Sequence, residues 1–139
     1  MRRVTSAALD PHRIFELLLA QHGPQGWWPG DTWFEMMVGA ILVQHATWRN
    51  ATLALERLRD AGVLQPGSIR GLPADALLDL IRSAGNYRAK AGTLKQLCDR
   101  LEEYSDDVAN LALVDVTRLR SQLLAIHGIG DETADAILT

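Results

Sequence analysis

The segment of residues 33–44, WFEMMVGAILVQ, constrains the fold most, because it is apolar on nearly every side of a helix. A helix on a protein surface has one apolar stripe, so a segment without a polar face belongs among several packed neighbours. Thr32 and Glu35 stand three residues apart and have the form of a capping box that starts this helix. The sequence therefore predicts a central helix surrounded by other helices.

Apolar residues recur at helical spacing along the rest of the chain, whereas no run alternates as a strand requires. Cap residues or a first-turn proline mark further helix starts at Asp10, Thr47, Pro73, Asn86 and Asp115. The segments QPGSIRGLP and SDDVANLALVD interrupt the pattern. We predict an all-α fold of seven helices, without a sheet, an internal repeat or a low-complexity segment.

Composition narrows the class of protein. The chain has 139 residues, 47% of them hydrophobic, and a net charge of -3, which indicates one globular domain without a broadly cationic surface. Any contact with nucleic acid must therefore be local. The single cysteine, Cys98, cannot build a disulfide framework, so we expect a cytoplasmic protein. The longest apolar run, residues 36–43, is too short to span a membrane.

The stretch IHGIGDETADAIL, residues 126–138, places two glycines between two helices. Glycine lets a ligand approach the backbone closely, and the second helix turns its unpaired N–H groups and positive dipole end toward the same place. Such a turn suits an anion, for which a nucleic-acid phosphate is the obvious candidate. A plain helix-to-helix turn with a glycine C-cap also fits, so the glycines alone leave both interpretations open.

Three blocks, in order, resemble the endonuclease III superfamily of base-excision DNA glycosylases. WWPGDTWFEMMVGAILVQHATWRNATLALERL is similar to the opening of its six-helix barrel, SAGNYRAKAGTLKQL to its Gly-x-Tyr-x-x-Lys-Ala segment, and LLAIHGIGDETADAIL to its helix-hairpin-helix element. The blocks cover residues 27–139. The resemblance implies an all-α six-helix barrel with a helix-hairpin-helix element, and an enzyme that hydrolyses the N-glycosidic bond of a damaged base.

The resemblance also implies a partner, double-stranded DNA that contains a damaged base, and no obligate protein partner. In this family the hairpin grips the DNA backbone, which implies contacts at Gly128, Ile129, Gly130 and Thr133. The hairpin often binds an alkali cation through backbone carbonyls. Which base is removed stays open between alkylated purines and oxidised pyrimidines.

Gln44 falls where the family has a glutamine near the gap left by an extruded base, and His45 stands beside it. Without the resemblance, the letters QHA describe only the polar end of a buried helix. Asn86 lies where relatives often have a bulky wedge, but asparagine caps better than it wedges, so we predict a helix cap. Arg88, Lys90 and Lys95 either line the DNA side of this helix or form its solvated face.

Two departures from the family concern its chemistry. Bifunctional relatives have a lysine just after the hairpin that forms a Schiff base with the sugar, and Glu132 takes its place here, which implies a monofunctional glycosylase. The family's essential aspartate lies shortly after the last helix, beyond the end of this chain. Asp131 is expected to be a helix cap and Asp135 a surface residue. No catalytic residue is therefore assigned within the chain.

The C-terminal helices of the family, which often include a four-cysteine iron-sulfur loop, are also expected to be missing. We divide the chain into an N-terminal helix at residues 1–26 and a barrel and hairpin domain at residues 27–139. Without the missing helices, the apolar side of Ile14, Leu17 and Leu18 should lie exposed. Such a patch predicts association, instability or an incomplete chain, and the sequence leaves open whether the chain is a fragment or a natural short protein. The final AILT, which has no stop signal, fits an interrupted helix.

The remaining histidines lack the spacing of metal ligands, so we assign no metal to His12, His22 and His127. The tryptophans could stack on bases, but packing within the fold is the favoured interpretation of Trp27, Trp28, Trp33 and Trp48. Three functions compete. They are a base-excision glycosylase, a non-catalytic helix-hairpin-helix module or inactive fragment, and a helical interaction domain in which the hairpin is only a turn.

Overall fold

The structure is a computed structural model that describes residues 10–24 and 31–139. Within these residues it contains nine α-helices and no strand, which confirms the all-α fold and adds two helices to the predicted seven. The helices are α1 (Pro11–His22), α2 (Trp33–Leu42), α3 (Trp48–Asp60), α4 (Pro66–Gly71), α5 (Ala74–Ile81), α6 (Tyr87–Glu102), α7 (Val108–Ala112), α8 (Val116–Leu124) and α9 (Asp131–Leu138). A short 3-10 helix, Arg82–Ala84, joins α5 to α6.

Helix α2 is the central helix, as predicted. Val38, Ile41 and Leu42 are fully buried, and α2 contacts α3, α6 and α9. Thr32 caps its first turn by accepting the N–H of Glu35 at 3.2 Å. The Glu35 carboxylate in turn accepts hydrogen bonds at 2.8 Å from the Asp31 N–H and from Arg59, which fastens α2 to α3. These contacts cap the N-terminal end of α2 and fix it against α3.

The predicted caps at Asp10, Thr47 and Asp115 are also confirmed, because each side chain accepts a backbone N–H of the first turn that follows. Asn86 is the N-cap residue of α6, as predicted, but its side chain does not form the expected cap. Its backbone is left-handed at φ 43°, and the side chain makes no capping hydrogen bond. Asparagine tolerates this conformation better than most residues, which explains the residue type without a cap.

The two helices absent from the sequence pattern are short and depend on tertiary contacts. Helix α4 lies in the QPGSIRGLP segment, where the Arg70 guanidinium makes a two-pronged ion pair with the Asp106 carboxylate and donates to the Cys98 carbonyl at 2.8 Å. Helix α7 is five residues long and is capped by Asp107. Helices of this length lack a repeating apolar stripe, so periodicity misses them.

Helix α1 lies apart from the core. None of its residues is buried, and its apolar residues Ile14, Leu17 and Leu18 are 39%, 54% and 51% exposed. The expectation of an exposed apolar side is therefore confirmed for this helix. Among the described residues, every helix is too short or too polar to cross a bilayer.

Candidate nucleic-acid interface

The hairpin connects α8 to α9, and two buried isoleucines anchor it to the core. Ile126 and Ile129 are each 4% exposed, and the Ile129 N–H donates to the Ile126 carbonyl at 3.1 Å. Because the side chain of Ile129 points into the core, this residue can present only its backbone to a ligand. The core thus fixes the base of the turn and leaves its tip on the surface.

Helix α6 holds one side of the tip. The Thr93 hydroxyl lies 2.8 Å from the His127 carbonyl and can donate to it, and the His127 N–H donates to Gln96 Oε1 at 3.2 Å. Gly128, at φ 97°, sits so close that an added β-carbon would overlap the Thr93 hydroxyl. The glycine at 128 is therefore required by the fold, both for its backbone conformation and for this close approach.

Gln44 holds the opposite side of the tip. Its side-chain nitrogen Nε2 donates to the Gly128 carbonyl at 3.0 Å and to the Thr133 hydroxyl at 2.7 Å. Thr133 is 9% exposed, so its hydroxyl serves this internal contact. The Gln44 amide bridges the end of α2 to both arms of the hairpin, a contact between residues more than 80 positions apart.

A cleft of about 580 Å³ opens between the C-terminal end of α2 and the hairpin. Gln44 and His45 line one wall, and Gly128, Gly130 and Glu132 line the other. His45 is exposed and has a left-handed backbone at φ 49°. The structure therefore brings together residues that the resemblance proposed separately, from opposite ends of the sequence.

Gly130 differs from Gly128, because no contact with residues 10–24 or 31–139 requires a glycine there. Its φ of -93° and ψ of -175° suit any residue, and a β-carbon would meet no atom within 4 Å. Gly130 is the N-cap residue of α9, and no side chain caps the helix. The prediction that Asp131 is the cap is wrong, since Asp131 is the first residue of the helix itself. The first residues of α9, Asp131 and Glu132, line the cleft, and the first N–H groups of the helix have no side-chain cap among the described residues.

Charges around α9 are partly neutralised by Arg120 of α8. The guanidinium binds Asp135 at 2.8 Å and Asp131 at 3.1 Å; the two aspartates are exposed, and Arg120 is partly buried. The hydrogen bond from Arg120 lowers the pKa of the Asp135 carboxyl from its usual value. Asp135 is thus a surface residue, as predicted. Glu132 has no such partner among the described residues and lies exposed in the cleft.

Both lysines of the chain are engaged with the protein's own backbone. Lys90 is 3% exposed, and Lys95 donates to the carbonyls of Ile69, Arg70 and Leu72 at the end of α4. The interpretation of these two lysines as DNA contacts is therefore wrong. Arg88 remains exposed at the start of α6, with its guanidinium 5.9 Å from the centre of the Tyr87 ring.

Other predicted residues lie away from the cleft or outside the described part. Trp33 packs against the core, as expected, and Trp48 is partly buried at the start of α3, whereas Trp27 and Trp28 fall outside the described residues. Cys98 is fully buried, and burial raises the pKa of its thiol to about 12. Within the described residues no three histidine, cysteine or acidic side chains are grouped to hold a metal ion.

Sequence reasoning missed Thr93 and Gln96, which hold the hairpin tip against α6. They stand three residues apart, which places them on one face of the helix, but a solvated face looks the same in the sequence. Only the distant contact with residues 127 and 128 distinguishes the two cases.

Comparisons with known proteins agree with this geometry. The family model described as HhH-GPD superfamily base excision DNA repair protein matches residues 38–137. A Methanocaldococcus jannaschii protein provisionally named a DNA repair glycosylase is 39% identical over 129 residues, covering 91% of this chain and 59% of that protein. Endonuclease III of Sulfolobus acidocaldarius is 31% identical over 106 residues, covering 76% of this chain and 46% of the enzyme. The chain thus spans about half the length of these relatives.

Solved structures show the same likeness. The H. pylori 3-methyladenine DNA glycosylase MagIII, bound to 1,N6-ethenoadenine, matches with a TM-score of 0.74 and 28% identity over 91% of this chain and 60% of that one. A trapped covalent intermediate of endonuclease III with DNA matches with a TM-score of 0.68 and 25% identity over 94% of this chain and 59% of that one. With its family match across most of its length, the chain belongs to the HhH-GPD superfamily of base-excision DNA repair proteins.

Proposed function

We propose that this chain is the barrel and hairpin part of a monofunctional DNA glycosylase that acts on duplex DNA containing a damaged base. The observation that carries the proposal is the open backbone at Gly130. A β-carbon would meet no atom within 4 Å, yet the position is a glycine beside helix N–H groups that no described side chain caps. A bound phosphate would account for the glycine, because the absence of a β-carbon lets the phosphate approach the N–H groups closely.

The second part of the proposal concerns the absence of lyase chemistry. A Schiff base with the sugar needs an accessible amine, and the chain has two lysines, both bound to backbone carbonyls. Glu132 occupies the cleft where the lyase lysine of bifunctional relatives is expected. Sodium borohydride should therefore trap no lysine-dependent covalent complex with DNA that contains an abasic site.

Hydrolysis needs a carboxylate that stabilises the cationic sugar and helps activate water. Two carboxylates of α9 do not suit this role, because Asp131 and Asp135 are tied to Arg120. We propose that the catalytic aspartate follows α9, in the part of the relatives' length that this chain does not span. The complete reading frame should then encode an aspartate shortly after Thr139.

The hydrogen bonds of the hairpin limit which backbone carbonyls are available to an alkali cation. The carbonyls of His127 and Gly128 lie within hydrogen-bonding distance of Thr93 and Gln44. We propose that an alkali cation at this hairpin would use other backbone carbonyls. An iron-sulfur cluster would need cysteines beyond these residues, because Cys98 is the only one and is buried.

Replacing Gly130 with serine tests the phosphate contact. Serine is a good N-cap residue, so α9 keeps or gains stability, while the new side chain blocks the approach to the N–H groups. Loss of one charge-assisted hydrogen bond should weaken binding to duplex DNA about 10- to 100-fold. Fluorescence anisotropy with a labelled duplex measures the affinity, and thermal unfolding confirms the fold. Unchanged affinity in a folded Gly130→Ser variant would refute the phosphate role of the hairpin.

A lesion panel tests the chemistry. The protein encoded by the complete reading frame is incubated with duplexes that contain alkylated purines, ethenoadenine or oxidised pyrimidines, and the released base is measured. We expect release of one lesion class without strand cleavage. Selective binding without release of any base would instead support the non-catalytic DNA-binding module.

A further inference from the structure

We propose that Lys90 is a positioning residue, which sets the spacing between the two turns that face DNA. The proposal rests on the proposed function, because it assigns these turns to the base-extruding side of a glycosylase. The turns are the Gln44–His45 turn after α2 and the Gly85–Asn86 turn before α6. They come from distant parts of the sequence, so something other than chain connectivity must fix their separation.

Lys90 makes the contact between them. Its Nζ atom donates to the Leu42 carbonyl at 2.8 Å and to the Ala84 carbonyl at 2.7 Å. Leu42 is the last residue of α2, and Ala84 is the last residue of the 3-10 helix. One ammonium group thus joins the ends of two elements just before each enters its turn.

Each turn contains a non-glycine residue with a left-handed backbone. His45 has φ 49° and Asn86 has φ 43°, and both follow the carbonyls held by Lys90 within three residues. Asparagine and histidine adopt this conformation more readily than most residues, and it remains uncommon outside glycine, so a fixed anchor just before each turn helps to hold it. Ser83 adds a weaker link, since its hydroxyl donates to the Asn50 carbonyl at 3.1 Å near the start of α3.

The chemistry of Lys90 argues against an ordinary surface role. The side chain is 3% exposed, and no carboxylate among the described residues pairs with it. Burial lowers the pKa of its ammonium group, so the residue is costly to place there. The negative ends of α2 and of the 3-10 helix offset this cost, because a cation is favourable at a helix C-terminus. Enclosure also keeps Lys90 from acting as a nucleophile toward the sugar.

The expected role in the reaction is preorganisation. An extruded base leaves a gap in the duplex, and the two turns can face this gap together only if their separation matches the DNA. A rigid separation avoids an ordering cost at binding, whereas a displacement of about 1 Å at a site can reduce activity about a hundredfold. Lys90 should therefore matter for binding at a base gap and little for binding to intact duplex.

The chain offers a matched control in Lys95. Lys95 also donates to backbone carbonyls at the end of a helix, but this helix is α4. Lys95 does not line the cleft between α2 and the hairpin. We would compare Lys90→Met with Lys95→Met in the full protein. For each, the affinity for a duplex with a tetrahydrofuran abasic analogue is divided by the affinity for the undamaged duplex.

We expect Lys90→Met to reduce this ratio about 10- to 100-fold, while Lys95→Met leaves it at the wild-type value. Equal ratios in the two variants would overturn the positioning role. If the wild-type protein does not bind DNA at all, both the proposed function and the role of Lys90 are refuted. This outcome differs from equal ratios in two DNA-binding variants, which refute the role of Lys90 alone. If Lys90→Met does not fold, Lys90→Arg takes its place, because the longer side chain should displace the turns. An unchanged affinity ratio in Lys90→Arg then contradicts the proposal.

Discussion

The inner and outer halves of the hairpin look alike in sequence and differ in what surrounds them. The inner half, His127–Gly128, is held by Thr93, Gln96 and Gln44 from two helices. The outer half, Gly130–Glu132, meets no side chain at its glycine and lies on the open cleft. Gly128 therefore serves the fold, whereas Gly130 leaves room for a ligand, although both belong to one motif.

The largest effect should come from Gly128→Ala in the inner half. Positive φ and overlap with the Thr93 hydroxyl add together, which should lower the free energy of unfolding by about 2 to 4 kcal/mol. Gly130→Ser is the matched control and should stay within about 0.5 kcal/mol of wild type. Chemical denaturation monitored by circular dichroism compares the two. Equal losses at both glycines would contradict the division of the hairpin into two halves.

Gln44→Leu should have the next largest effect. It removes two hydrogen bonds and leaves the Gly128 carbonyl and the Thr133 hydroxyl without their donor, so we expect a loss of about 1 to 2 kcal/mol. Gln21→Leu on the exposed α1 serves as the control for the same chemical change. Hydrogen exchange should show faster exchange at the hairpin in the first variant alone. Unaltered stability would mean that α6 alone holds the inner half.

Glu132→Gln tests the outer half and should have a smaller effect. It should lower the stability of the protein and raise its affinity for duplex DNA. A carboxylate in the first turn stabilises a helix, so its loss should cost α9 about 0.3 to 1 kcal/mol. The same carboxylate repels a phosphate, so affinity for duplex DNA should rise by about two- to fivefold. Anisotropy and thermal unfolding measure both. A fall in affinity would show that Glu132 assists DNA binding.

Acid titration of Asp135 should give the smallest effect. Its pKa lies below the usual value of 3.8 because of Arg120, so the charged pair is complete above that pH. Its stabilising contribution is lost as the pH falls through the lowered pKa, where the carboxylate becomes protonated. NMR titration of the carboxyl carbon should place the midpoint below 3.8, and in Arg120→Gln the midpoint should return toward that value. Identical midpoints in the wild type and in Arg120→Gln would show that Arg120 does not lower the pKa of Asp135.

The sequence was sufficient to predict the long elements and the motif, since both are encoded locally. Periodicity located α2, α3 and α6, and the caps at Thr32 and Thr47 marked their starts where the structure has them. Helices α4 and α7 escaped prediction, because contacts such as Arg70 with Asp106 stabilise this region and join residues 36 positions apart. A pattern of neighbours along the chain carries no record of such pairs.

The residues that the resemblance groups as a candidate site lie together in the fold, but the contacts among them could not be predicted. Gln44 and the hairpin were assigned to one function, but their direct contact appears only when the chain is folded. Lys90 and Arg88 look equivalent in the string YRAKAG, although one is buried and the other exposed. Helical geometry puts residues two positions apart on different faces, and which face is covered depends on α2 and the 3-10 helix.

The engagement of both lysines has a consequence for regulation. Many proteins that bind a polyanion can be weakened by acetylation of lysine, which removes a charge. Here the permanent cations without a carboxylate partner in the described residues are arginines, among them Arg49 and Arg88. The guanidinium stays charged at every physiological pH and is not a substrate for acetylation. The proposed contact of this chain with DNA should therefore respond to salt concentration and remain insensitive both to mild alkali and to lysine acetyltransferases.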